Sequence, residues 1–308
     1  MRYAILFPGQ GSQSVGMGAD VVAARPDLLG PAADEVLGWS LGALCADGPE
    51  SELVRTDRAQ PALYGVSFAL WEAFADAVPH APFAAAGHSL GEYTALAAAG
   101  AVSYFDGLRL VAARGRAMKQ ATDTSAGTMA AVMGADVPTV EEVVAAQRAG
   151  GAALWVANIN APGQIVVAGS VEAVEQLATS ARDLGLRRVI RLNVAGAFHT
   201  PLMDPARREF EAALDSVSFA AGSFPVWTNL EAAPVGETAA ALAGQLVGKV
   251  RFSESLIAMS EAGVEAFVHI GPGDVTAGMA KRSVKEAVVI TVSSLDDIGA
   301  AVEELDVV

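Results

Sequence analysis

The stretch FAAAGHSLGEYTALAAAG, residues 83–100, contains the turn on which the reading of the chain depends. Phe83 to Gly87 is a short apolar run of the kind that forms a buried strand, and the residues after Ser89 are rich in helix formers. Between them Gly87-His88-Ser89-Leu90-Gly91 fits the pattern G-x-S-x-G. A serine on a sharp strand-to-helix turn keeps its hydroxyl exposed, and the glycines around it let strand, helix and substrate approach closely. The amide of Leu90 then stands at a helix N-terminus, where the dipole favours a developing oxyanion. Ser89 is therefore the candidate nucleophile, and the strand-turn-helix joint points to a layered α/β fold.

Outward from this turn the same alternation continues. Tyr3 to Phe7 is an apolar run that stops at Pro8-Gly9, residues 61–77 carry helical spacing of apolar residues, and Asp106 to Ala121 reads as a helix. Phe224 to Asn229, Ala266 to Ile270 and Val288 to Val292 are further apolar runs. A mainly parallel sheet is predicted. The middle of the chain differs. Thr128 to Gly134 reads as a strand and Val137 to Ala149 as a helix. Leu154 to Asn158 and Gln164 to Gly169 read as strands joined through Asn160-Ala161-Pro162-Gly163, followed by a helix over Val171 to Leu184 and a strand over Arg188 to Val194. That order, β-α-β-β-α-β, is the ferredoxin-like pattern. Such a unit can sit in a surface loop of a larger domain. The expected organisation is a large domain over residues 1–126 and 196–308 with a small ferredoxin-like domain over 127–195.

Composition bounds the function. The chain has 308 residues, 52% hydrophobic and 18% charged, enough to bury a large core and too apolar for disorder. Its net charge of -15 argues against broad binding to nucleic acid or anionic lipid. Cys45 is the single cysteine, which excludes an internal disulfide and fits a reduced, cytoplasmic setting. The apolar run at the N-terminus is too short for a signal peptide, and no stretch reaches the roughly 18 unbroken apolar residues of a membrane span. The four histidines lack metal-ligand spacing, so no zinc site is expected.

A serine nucleophile needs a base. His80 lies in a Pro-flanked loop, His88 is aimed away by the turn that exposes Ser89, and His269 lies within an apolar strand. His199, in Gly196-Ala197-Phe198-His199-Thr200-Pro201, follows the last strand of the small unit, where a loop would overhang the large domain. It is the candidate base. No carboxylate is singled out to orient it; Asp123 and Asp204 are available. The loop Phe7-Pro8-Gly9-Gln10-Gly11-Ser12-Gln13 fails the dinucleotide pattern because Ser14 replaces its third glycine, but the Gln10 amide could serve as a second oxyanion donor. Arg114, with Arg116 and Lys119 nearby, reads by itself as part of a solvated basic face; the alternative is a guanidinium fork for a carboxylate.

Six segments in order, FPGQGSQSVGMG, GHSLGEYTALAAAG, LVAARGRAM, ANINAPGQIVVAG, GAFHTPLM and VHIGPG, resemble the malonyl-CoA:acyl-carrier-protein transacylase family, which includes acyltransferase domains of polyketide synthases. The resemblance implies an α/β-hydrolase-like large domain with a ferredoxin-like insert. It implies ping-pong transfer of a malonyl group from malonyl-CoA through Ser89, with His199 as base, to the phosphopantetheine thiol of an acyl carrier protein. Gln10 and Leu90 would form the oxyanion hole and Arg114 would pair with the malonyl carboxylate. Met118 and Phe198 would line the acyl pocket, Phe198 crowding an α-methyl group, and Asn160 would contact the acyl or pantetheine part. A backbone carbonyl would orient His199, with Lys249-Val250-Arg251-Phe252 as the segment to inspect. Thr200 stands where many relatives have Ser, and Lys249 where Pro is expected. No cofactor is implied, because malonyl-CoA is a substrate and phosphopantetheine belongs to the partner.

The family's carriers are acidic, as is this chain, so docking requires a local basic patch; Arg187 with Arg188, and Lys281, Arg282 and Lys285, are the candidates. A monomer acting in type II fatty-acid synthesis is expected. The alternatives are a trans-acting acyltransferase of a polyketide synthase, a serine thioesterase or hydrolase with water as acceptor, and a non-catalytic module that holds coenzyme A or a carrier.

Overall fold

The computed structural model describes residues 1–306. Its strands are β1 Tyr3–Phe7, β2 Ala84–Gly87, β3 Thr128–Met133, β4 Leu154–Ala161, β5 Gln164–Gly169, β6 Arg188–Arg191, β7 Val226–Trp227, β8 Ala266–Ile270 and β9 Val288–Val292. They divide into two sheets. In the first, of order β7-β2-β1-β8-β9, every pairing is parallel. Parallel strands joined by helical crossovers are covered on both faces, so apolar runs replace alternation. In β1 all five residues are buried: Tyr3, Ile5 and Phe7 join one apolar cluster with Leu63, Val66 and Leu70, while Ala4 and Leu6 join another with Phe252, Leu256 and Phe267.

β1 lies between β2 and β8, so the order of strands reverses there. Such a reversal opens a crevice beyond the carboxyl ends of the strands. The turns that leave β1 and β2 meet at that end: the His88 amide donates to the Phe7 carbonyl at 2.9 Å.

The second sheet, of order β4-β5-β3-β6, is wholly antiparallel and has its own core, including Val132, Ile165, Val167, Val174 and Leu177. With helices Val137–Ala149 and Val171–Thr179 it has the split-βαβ order read from the sequence. Asp136 caps the first helix by accepting from the Thr139 amide at 2.9 Å, and Ser170 caps the second by accepting from Ala173 at 3.1 Å. The two-part α/β architecture is thus as expected, a parallel sheet and a separate antiparallel one.

Several element ends differ from expectation. The helix predicted over 61–77 begins at Thr56, and the one predicted from Asp106 begins at Tyr104, where the Ser103 hydroxyl accepts from the Asp106 amide. The helix after Val171 stops at Thr179 rather than Leu184, and β6 ends at Arg191 on a sheet edge. β7 is confined to Val226–Trp227. Asn160 lies within β4, because that strand runs on to Ala161 and the turn is made by Pro162 and Gly163 alone. β4 also reaches out of its own sheet. Ile159 donates to the Val250 carbonyl and Val250 to the Ala157 carbonyl, both at 2.8 Å, an isolated parallel bridge to the segment after helix Thr238–Val247.

Candidate active site

β2 ends at Gly87 and helix Gly91–Ala98 begins four residues later, leaving three residues for the turn. Ser89 makes this turn with a φ of 51°, in the left-handed region that a residue with a Cβ rarely occupies. The glycines are steric necessities. A methyl group at Gly87 would stand 1.8 Å from the Gly91 carbonyl carbon, and one at Gly91 would stand 2.3 Å from the Phe7 oxygen and 2.8 Å from the Pro8 oxygen. The loop after β1 therefore lies directly against the turn, and a methyl group at Gly9 would stand 2.5 Å from the His88 oxygen. No backbone hydrogen bond among the described residues takes up the Gln10 or Leu90 amide.

His199 also has a positive φ, 60°. Its Nε2 lies 2.8 Å from the Ser89 hydroxyl and its Nδ1 2.8 Å from the main-chain carbonyl of Gln245. A carbonyl can only accept, so Nδ1 carries the ring proton and Nε2 presents its lone pair to the serine. The orienting carbonyl belongs to Gln245, in helix Thr238–Val247, and not to the segment Lys249–Phe252. Burial, and then the charge of Arg114, push the His199 pKa down to about 3, so the imidazole is neutral and can accept a proton. The carboxylates of Asp123 and Asp204 are engaged elsewhere, with Lys119 and with Arg207 and Arg208.

Arg114 is 1% exposed, whereas Arg116 is exposed and Lys119 pairs with Asp123 at 2.5 Å. The solvated-face reading of Arg114 is thereby corrected. Its guanidinium donates to Gln60 Oε1 at 2.8 Å, to Gln245 Oε1 at 2.9 Å and to the Ser89 hydroxyl at 3.0 Å. It lies over the Tyr93 ring at 5.4 Å, and among the described residues its Nε has no partner and no carboxylate pairs with it. A fully buried cation whose hydrogen-bond partners are all neutral, with one donor spare, is a place where an anion is favoured.

The other expected residues are less uniform in position. Met118 is buried and its sulfur accepts from Gln60 Nε2 at 3.4 Å, which ties it to the Arg114 cluster. Phe198 is buried beside His199. Asn160 Oδ1 lies 2.8 Å from His88 Nε2, so the histidine beside Ser89 is directed to the small sheet. His269 is a buried strand residue between the Thr276 hydroxyl and the Gly271 carbonyl. Arg187, Arg188, Lys281, Arg282 and Lys285 are all exposed.

Four buried residues of this cluster escaped sequence reasoning: Gln60, Glu92, Asn229 and Gln245. The only signal they gave was polarity inside apolar helical runs, as in Ala-Gly-Gln245-Leu-Val, or directly after the serine turn, as with Glu92. Asn229 Oδ1 accepts from the Ser89 amide and its Nδ2 donates to the Gly87 carbonyl, both at 2.6 Å. Burial pushes the Glu92 carboxyl up to about 7, against the opposing pull of its hydrogen bonds to Asn229 and Gln245 and of the Arg114 charge.

The acyl transferase domain family matches residues 5–301. The malonyl CoA-acyl carrier protein transacylase of Bacillus subtilis is 38% identical over 99% of this chain and 97% of its own length. A polyketide biosynthesis malonyl CoA-acyl carrier protein transacylase of Bacillus velezensis is 41% identical over 90% of this chain and 95% of its own. Among solved structures, a malonyl-transacylase in complex with its type II polyketide acyl-carrier protein superposes with a TM-score of 0.93 at 35% identity, covering 99% of this chain and all of that one. The match runs through the serine turn, the histidine loop and both sheets, and the chain belongs to the malonyl CoA-acyl carrier protein transacylase family of acyltransferases.

Proposed function

We propose that the chain transfers a malonyl group from malonyl-CoA to the phosphopantetheine thiol of an acyl carrier protein, with Ser89 as nucleophile and His199 as base, in type II fatty-acid synthesis. The observation that carries this reading is Arg114, a buried guanidinium 3.0 Å from the Ser89 hydroxyl with no carboxylate partner among the described residues. An acyl group that ends in a carboxylate would complete it.

In the first half-reaction the Ser89 oxygen attacks the thioester carbon and its proton passes to His199 Nε2. The oxyanion is held by the Leu90 and Gln10 amides, the former at a helix N-terminus. Collapse breaks the carbon–sulfur bond, and the departing coenzyme A sulfur takes the proton from His199. In the second half the carrier thiol gives its proton to His199 and attacks the malonyl ester, and Ser89 leaves as the hydroxyl. The Gln245 carbonyl holds the imidazole in one tautomer throughout. This chemistry calls for no bound cofactor, since the thioester is already activated and every proton is moved by side chains. We place it in the cytoplasm. Met118 and Phe198 form the apolar side of the acyl pocket. Arg187 with Arg188, or Lys281 with Arg282 and Lys285, meet the acidic carrier.

The test is the intact mass of the protein after mixing with malonyl-CoA, beside Ser89→Ala. Gain of one malonyl group in the first and not in the second is expected, followed by its discharge to holo carrier faster than to water. Discharge to water at an equal rate would make the chain a hydrolase. The Bacillus velezensis relative favours a second reading, supply of a polyketide assembly line. A marked preference for polyketide carriers over the fatty-acid carrier would support that instead.

A further inference from the structure

Glu92 is the only acidic side chain among the described residues that is fully buried, 1% exposed, and no step of acyl transfer uses it. Its Oε2 accepts from Gln245 Nε2 at 2.7 Å and from the Asn229 amide at 2.9 Å, and its Oε1 is buried with no partner. An acid removed from water and only half satisfied is costly. Its two bonds lead to the two residues that hold the reacting groups. Gln245 donates to the Ser89 carbonyl at 2.9 Å, accepts from Arg114 through Oε1, and orients His199 through its main-chain carbonyl. Asn229 brackets the serine turn from the Gly87 carbonyl to the Ser89 amide.

A glutamine amide can point either way round, and here the two ways are not equivalent. With its nitrogen between Glu92 Oε2 and the Ser89 carbonyl, the Gln245 oxygen must face Arg114. Reversed, it would set an oxygen against two acceptors and an NH2 group against a guanidinium. We infer that Glu92 is a positioning residue for acyl transfer: by accepting from Gln245 and Asn229 it fixes the orientation of the Gln245 amide, and through it the placement of Ser89, His199 and Arg114. Its requirement is for an acceptor at Oε2, not for a charge. The inference rests on the reading of Ser89 and His199 as nucleophile and base, and is independent of which acyl group they carry.

The experiment uses two readouts on the full chain: labelling of Ser89 by a fluorophosphonate, which needs no malonyl group, and malonyl loading resolved into saturating rate and KM. Glu92→Ala is expected to lower both the labelling and the saturating rate by about tenfold or more, with KM for malonyl-CoA changed by less than about threefold. Glu92→Gln, which can present its oxygen at the same place, is expected to restore both to within about threefold. Because Glu92 acts through Gln245, the double variant Glu92→Ala/Gln245→Ala should be little slower than Gln245→Ala alone. Should the alanine chain not fold, Glu92→Asp, which keeps the charge and withdraws the acceptor, must be slow in its place. Wild-type labelling by folded Glu92→Ala or Glu92→Asp, failure of Glu92→Gln to restore the rate, or multiplicative losses in the double variant would each overturn the inference. Fluorophosphonate labelling of the wild type without malonyl loading would instead sink the substrate reading and leave this one standing.

Discussion

Ser89 and His199 share one hydrogen bond and the same left-handed backbone, yet they are held in opposite ways. The serine is shaped by its own neighbours, with a strand before it, a helix after it and a glycine on each side for clearance. The histidine takes nothing from its neighbours but a loop. Its ring is set by the carbonyl of Gln245, which lies 46 residues further on and is itself tied to Glu92 and Arg114. A local motif can be read as a string, whereas a support made of distant polar side chains exists only after folding.

The contrast can be broken from either side. Removing the imidazole in His199→Ala should slow malonyl loading on the order of 10⁴-fold while leaving the serine turn folded. Quenched-flow mass spectrometry reads the rate, and a loss below about tenfold would remove His199 from the role of base. On the serine side the damage should fall on the fold. Gly91→Ala sets a methyl group into the Phe7 and Pro8 carbonyls, and should cost about 3 kcal/mol or more, seen as lost soluble yield and a lower Tm. A chain of unchanged Tm would mean the turn is less dependent on its glycines than its geometry implies.

Two further variants sharpen the polar side of the comparison. Arg114→Ala should lower kcat/KM for malonyl-CoA by roughly 100-fold, and by at least about tenfold more than for acetyl-CoA. Equal losses for the two would confine Arg114 to supporting Ser89 and Gln245. The smallest effect concerns Glu92, whose carboxyl is raised from 4.5 to about 7 by burial. Between those values the folded chain keeps a proton that the unfolded chain has released. Stability from this group is therefore complete below pH 4.5 and is lost as the pH rises through 7. Glu92→Gln cannot ionise, so its stability relative to wild type should improve by about 2 kcal/mol, or a few degrees of Tm, on going from pH 5 to pH 8. Thermal melts at the two pH values decide it; a constant difference would show that Glu92 does not titrate in this range.

The parts of the fold legible in sequence are those written by period and punctuation. β1, β8, β9 and the helix Val137–Ala149 match their expected spans because an apolar run or a capped amphipathic stretch ends at glycine, proline or a capping side chain. β7 is shorter than the apolar run Phe224 to Asn229 and β4 is longer than Leu154 to Asn158, because strand length there depends on partners remote in sequence. Within the site, G-x-S-x-G points to Ser89 and the order of motifs to His199, and the structure brings the two side chains to 2.8 Å. Arg114 shows the limit of local reading. Flanked by Arg116 and Lys119 it looked solvated, and only helical rotation distinguishes it, turning residue 114 to the core and 116 to water. Gln245, Asn229 and Glu92 carry no pattern, because a buried polar network is defined by mutual distance and not by spacing.

The bridge between β4 and Val250, with the Asn160–His88 hydrogen bond beside it, has a consequence for exchanging parts among relatives. A small unit transplanted from another acyltransferase must arrive with β4 in the same register, since a slip of one residue turns Asn160 to the opposite face and unpairs Val250. Val250 stands five residues after Gln245, so an ill-fitting graft would disturb the carbonyl that orients the His199 ring. Chimeras meant to change the acyl group should therefore carry residues 127–195 and 245–252 as one block, although nearly fifty residues separate them along the chain.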